Sequence, residues 1–129
     1  LSFLIRALGA FPVSRGKGDT GAIEKAAEIV ESGGVLAIFP EGHRSKGGKL
    51  LKLKSGAVVV ASMTGADLLP CVMKKGEKKG LRYVMTVRYG KMIPNAALGV
   101  TSARSPAEVR GANRLLSDTL SGLLEGANG

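Results

Sequence analysis

Gly33-Gly34-Val35-Leu36-Ala37-Ile38-Phe39-Pro40-Glu41-Gly42-His43-Arg44-Ser45 is the stretch on which the fold turns. Its first half is an unbroken apolar run, Val35–Phe39, with turn residues on both sides, the pattern of a strand buried on two faces of a parallel sheet. Its second half leaves that strand through a proline, an acid, a glycine and an arginine. Loops at the carboxyl ends of parallel strands are where ligands bind.

Upstream, Asp19 or Thr20 is placed to cap a helix carrying Ile23, Ala26, Ala27 and Val30 on one face, and Gly33-Gly34 ends it. Phe11–Arg15 reads as a short strand, so strand, helix and strand form a crossover unit. Downstream, a polar loop runs from Pro40 to Lys54, then a helix over Ser55–Met63 and a strand over Leu68–Met73. A basic turn, Lys74–Lys79, leads into a strand over Leu81–Tyr89, where side chains alternate in direction. In the final helix, Ser105-Pro106-Ala107-Glu108 sets a capping box with proline at the first helical position. Val109, Ala112, Leu116, Leu120 and Leu123 form its apolar stripe. The order of elements predicts an α/β fold: three layers, with a mostly parallel central sheet and flanking helices.

The length of 129 residues allows one domain at most, and a hydrophobic fraction of 44% with 19 glycines suits a compact core. The chain opens on Leu1 directly in an apolar stretch, Leu1–Leu8, which reads as a truncated start, so the fold is expected to be incomplete at the N-terminus. No apolar run approaches the roughly 20 residues of a membrane-spanning helix. The longest, Ala57–Met63, is broken by Ser62. A single cysteine, Cys71, excludes an internal disulfide and makes no structural zinc site with the lone His43. Its apolar surroundings predict a buried packing thiol in a reducing compartment.

A formal charge of +9 calls for a partner with negative charge: nucleic acid, an anionic membrane surface or a phosphorylated small molecule. An aromatic content of 4% disfavours single-stranded nucleic acid, whose bases stack on exposed rings. Lys46, Lys49, Lys52 and Lys54 follow the Phe39–Ser45 stretch with no acid among them and would focus positive potential over the loop. A phosphate fits there; so does a purely solvated loop in which Glu41 pairs with Arg44.

The Phe39-Pro40-Glu41-Gly42-His43-Arg44-Ser45 block resembles the Phe-Pro-Glu-Gly-Thr-Arg-Ser block of the lysophosphatidate acyltransferase family. Gly9-Ala10-Phe11-Pro12-Val13-Ser14-Arg15 is similar to that family's preceding Gly-x-x-Phe-[Ile/Pro]-x-x-Arg block, and Leu68-Leu69-Pro70-Cys71-Val72 to its fourth block. The three stand in the family's order, with one helix between the first two. The resemblance is specific from Gly9 to Val72 and makes the chain the C-terminal portion, residues 1–129, of a single acyltransferase domain. It implies transfer of a fatty acyl group from acyl-CoA or acyl carrier protein to lysophosphatidate (1-acylglycerol 3-phosphate) in phospholipid biosynthesis, directly, with no cofactor, metal or acyl-enzyme intermediate. Implied with it are a peripheral place on the cytoplasmic face of a membrane, an anionic membrane surface as partner beside the acceptor and donor, and no nucleic acid.

It also implies that Arg15, Glu41, Gly42 and Arg44 hold the glycerol-3-phosphate part of the acceptor. Arginine offers a planar fork to phosphate oxygens, Gly42 admits close backbone approach, and Glu41 would position a neighbour. His43 stands where the family usually has threonine, and Ser14 where many members have aspartate. The family's catalytic His-x-x-x-x-Asp block is absent: the residue five positions after His43 is Gly48, so no catalytic residue is assigned and the chain by itself is expected to be inactive.

Other motifs compete. Gly16-Lys17-Gly18-Asp19-Thr20-Gly21 matches the dinucleotide-binding pattern, but Asp19 would stand beside the pyrophosphate and is better used as a helix cap. Gly42–Lys49 fails as a nucleotide-triphosphate loop because five residues, not four, separate Gly42 from Gly48, and Leu50 replaces the hydroxyl residue. The remaining alternative is a non-enzymatic basic module that binds anionic lipid or nucleic acid through Lys46–Lys54 and Lys74–Lys79.

Overall fold

The computed structural model describes residues 2–7, 9–11, 20–43, 45 and 47–126. Two compact units divide the chain, Leu1–Leu36 and Ala37–Gly129. The first holds helices α1 (Ser2–Ala7) and α2 (Thr20–Glu31). Ala26 and Ala27 are buried in α2, with Ile23 and Val30 half-buried on the same face, as the periodicity predicts. A Schellman motif ends this helix: the Gly33 amide donates to Val30 O at 3.0 Å and the Gly34 amide to Ile29 O at 2.9 Å. Gly33 takes a φ of +85°, open to glycine at no steric cost. The predicted strand over Phe11–Arg15 and the Asp19 cap lie outside the described residues, apart from Phe11.

The second unit contains α3 (Gly56–Thr64), β1 (Cys71–Lys79), β2 (Arg82–Tyr89), a 3-10 turn (Asn95–Leu98) and α4 (Pro106–Gly126). Its core joins Val58 and Ala61 of α3, Val72 of β1, Ile93, Leu98 and the α4 stripe of Val109, Ala112, Leu116 and Leu120. Leu123 lies partly buried at the end of that stripe. Gly65, at a φ of +72°, ends α3, and Asn95 closes it from outside: its Nδ2 donates to Ala61 O at 2.7 Å and to Ala66 O at 3.0 Å.

The start of α4 differs in detail from the capping box. The Glu108 amide donates to Ser105 Oγ at a long 3.5 Å, but the Glu108 carboxylate does not reach back to Ser105. The Ser105 amide is already bonded to Ser102 O, so the carboxylate instead accepts from the Thr101 amide and hydroxyl and the Ser102 amide, at 2.8–3.0 Å. Those bonds, with the Thr101 hydroxyl first, hold its pKa below the ordinary 4.5.

The fold is mixed α/β, but the sheet among the described residues is a two-stranded antiparallel hairpin of β1 and β2. The predicted parallel sheet is not found among them. Val35–Phe39 forms no ladder there: with no neighbouring strand to take its amides and carbonyls, Val35 is 96% exposed and Phe39 72%. Leu68 makes only an isolated antiparallel bridge with Ile93 before β1 begins at Cys71. The Lys74–Lys79 stretch, expected as a turn, is strand. Its lysines are exposed, and the chain reverses at Gly80-Leu81, where Gly80 takes a φ of +62° at the first loop position as a II′ hairpin requires. The ladder is interrupted once, by an extra residue between Lys75 and Lys78. Cys71 is exposed on β1, not buried.

Candidate phosphate-binding loop

The loop after Phe39 is built by local chemistry. Pro40 occupies the second position of a turn that Gly42 closes, its amide donating to Phe39 O at 3.1 Å. Gly42 takes a φ of +70°, so the glycine of the block is required by the backbone itself. Two further bonds tie the outgoing limb to the returning one. The Lys54 amide donates to Pro40 O at 2.7 Å, and the Leu51 amide donates to Glu41 Oε2 at 2.7 Å. The segments around Glu41 and Leu51–Lys54 are thereby tied together, and this base is anchored to the core: Leu53 is buried, and its carbonyl accepts from Asn113 Nδ2 of α4 at 3.2 Å.

Of the four predicted site residues, Glu41 and Gly42 sit together at the base of this loop, while Arg15 and Arg44 lie outside the described residues. Glu41 is engaged within the loop, which accounts for a carboxylate in an otherwise basic segment. Lys54 lies across Gly42: a Cβ on the glycine would stand 3.0 Å from its Cε and 3.5 Å from its Nζ. Lys49, Lys52 and Lys54 are exposed, as is His43. An ammonium thus lies over the turn, with further cations on the returning limb. No acidic side chain other than Glu41 belongs to the segment.

Sequence reading missed three supports of this loop: the Leu51 amide, Asn113 and the reach of Lys54 over Gly42. Asn113 offered the only signal, a polar residue beside the apolar stripe of α4. Next to the loop, Leu50, Met73 and Leu124 with Lys49, Lys74, Lys75 and Glu125 line an open groove of about 570 Å³. Among the described residues no cluster of His, Cys, Asp or Glu is placed to hold a metal ion. No described helix is long and apolar enough to cross a membrane.

A family model described as Acyltransferase matches residues 1–74, more than half of the chain. Curated relatives include a chloroplastic 1-acyl-sn-glycerol-3-phosphate acyltransferase of Brassica napus, 32% identical over 68 residues, which are 51% of this chain and 20% of that protein. A 1-acyl-sn-glycerol-3-phosphate acyltransferase of Bacillus subtilis is 33% identical over 88 residues, 60% of this chain and 43% of that protein. The Arabidopsis thaliana chloroplastic protein of the same description is 32% identical over 68 residues, 51% of this chain and 19% of its own. The chain therefore spans less than half the length of these relatives. No solved structure matches it. The matched residues contain all three sequence blocks together with the loop at Phe39–Lys54, and on that ground the chain belongs to the acyltransferase family.

Proposed function

We propose that the chain is the acceptor-holding part of a domain that transfers a fatty acyl group to lysophosphatidate in phospholipid biosynthesis. The observation that carries this reading is the coincidence of the Phe39–Ser45 block with a lysine-rich loop tied at its base in a member of the acyltransferase family. In this reading Arg15 and Arg44, the arginines of the two family blocks, each offer the acceptor phosphate a bidentate fork. Gly42 lets the phosphate approach the backbone, and Lys54 adds a point charge above it. Glu41 acts as a positioning residue, because its carboxylate fixes the loop through the Leu51 amide.

The reaction joins the acceptor hydroxyl oxygen to the acyl carbonyl carbon of acyl-CoA or acyl carrier protein. The carbon–sulfur bond breaks, and the hydroxyl proton passes to a base and then to the leaving thiolate. This sequence contains no His-x-x-x-x-Asp pair to serve as that base, so the proposal for the chain alone is acceptor binding without turnover. No cofactor enters the reaction. A lipid acceptor and a formal charge of +9 favour a peripheral station on the cytoplasmic face of an anionic membrane.

Competition binding tests the reading. A fluorescent lysophosphatidate held by the chain should be displaced by glycerol 3-phosphate and not by duplex DNA. Displacement by DNA alone, with a steep salt dependence, would replace the reading with that of a nucleic-acid module.

A further inference from the structure

The β1–β2 hairpin lies largely beyond the region shared with the family model, which ends at residue 74. Its register places Cys71, Met73 and Lys75 on the same face as Tyr89, Val87, Met85 and Tyr83. Met73, Met85, Val87 and both tyrosines are exposed on that face, Met85 at 54%. At the tip, Leu81 occupies a turn position usually given to polar residues and is 96% exposed. Lys78, Lys79 and Arg82 surround it, and Lys75 stacks over the Tyr83 ring at 3.5 Å. Glu77 is the only acid in the hairpin, and none of Lys75, Lys78, Lys79 and Arg82 is ion-paired among the described residues.

We propose that this hairpin docks the protein on an anionic lipid surface, with Leu81 entering the acyl boundary and the cations meeting lipid phosphates. The composition decides among occupants. A second copy would bring two cationic collars together, at a cost in repulsion. Nucleic acid would satisfy the cations and leave Leu81, Met73, Met85 and Val87 in water. A bilayer interface takes both: apolar side chains enter the headgroup boundary, lysines bury their stems while keeping the ammonium at the phosphates, and tyrosines suit the same depth. The inference deepens the peripheral membrane placement proposed above by naming the surface that makes it, and it is independent of the acceptor-site assignment, since no residue of the Phe39–Lys54 loop is required.

Flotation of the full chain with phosphatidylcholine vesicles, with and without phosphatidylglycerol, tests it. Binding is expected only with phosphatidylglycerol present. The double variant Lys78→Ala/Lys79→Ala should lower partitioning by roughly 25-fold, about fivefold for each lysine near the surface. Arg110→Ala/Arg114→Ala removes the same charge from exposed positions on α4 and should leave partitioning within about twofold of the parent if charge position matters. The chain has no tryptophan, so Leu81→Trp gives a single reporter whose emission should shift to the blue on anionic vesicles and be quenched by brominated acyl chains. The inference is overturned by equal losses in the two double variants, by an indole emission of the Leu81→Trp variant that does not move on anionic vesicles, or by a Leu81→Asp variant that floats like the parent. It is also overturned if Leu81→Asp converts a dimer to a monomer in sedimentation without lipid, since the tip would then be covered by a second copy. Glycerol 3-phosphate binding by the Lys78→Ala/Lys79→Ala variant reports separately on the acceptor site.

Discussion

Glu41→Ala separates a carboxylate that builds the loop from one that faces a ligand. Its Oε2 is the acceptor for the Leu51 amide at 2.7 Å, across ten residues of chain. A hydrogen bond to a charged group contributes about 1.5–3 kcal/mol when well shielded. Here Glu41 is half-buried and Leu51 exposed, so water can replace the carboxylate, and the expected loss is about 1 kcal/mol. For a unit of this size that corresponds to roughly 4 °C in Tm. The local signature is sharper than the global one. Amide exchange at Leu51 should quicken by about fivefold while Val58, in the core, changes only as far as global stability does. Glu41→Gln keeps an acceptor of the same shape without the charge and should recover about half of the loss. A Leu51 amide that exchanges at the parent rate in Glu41→Ala would refute the loop-building role.

Asn95→Ala removes two bonds to Ala61 O and Ala66 O at the end of α3 and should cost about 2 kcal/mol, read as a lower urea midpoint at unchanged slope. A midpoint equal to that of the parent would show that water serves those carbonyls as well. Glu108 supplies a pH dependence. Its folded pKa lies below the unfolded value of 4.5, so the unfolded state binds more protons, and its contribution is fully present above 4.5 and lost as pH falls through the folded pKa. Glu108→Gln should flatten the stability profile below pH 4.5, and an unchanged acid limb in melting experiments would contradict this.

Helices α2 and α4 were legible because each is written twice, in apolar periodicity and in its terminal residues. Gly33-Gly34 closes α2, and Ser105-Pro106 opens α4. The Glu41–Gly42 turn was legible for the same reason, since proline and glycine fix its backbone. The sheet was not. Val35–Phe39 carries the composition of a central strand, but a strand is defined by its neighbour, and no neighbour stands among the described residues. The hairpin was hidden by its own charge: Lys74–Lys79 has the composition of a loop, and only Gly80 marks where the chain reverses. Glu41's partner was out of reach because a backbone amide ten residues away leaves no trace in side-chain pattern.

Calorimetric titration of glycerol 3-phosphate into the full chain, its Arg44→Ala variant and its Arg44→Lys variant bears most directly on the acceptor-holding role. Saturable binding is expected for the parent, weakened at least tenfold in Arg44→Ala, since a charge-assisted contact contributes about 1.5–3 kcal/mol. Arg44→Lys, which keeps the charge without the fork, should fall between the two. Equal affinity in all three proteins would contradict the assignment of this loop to the acceptor phosphate.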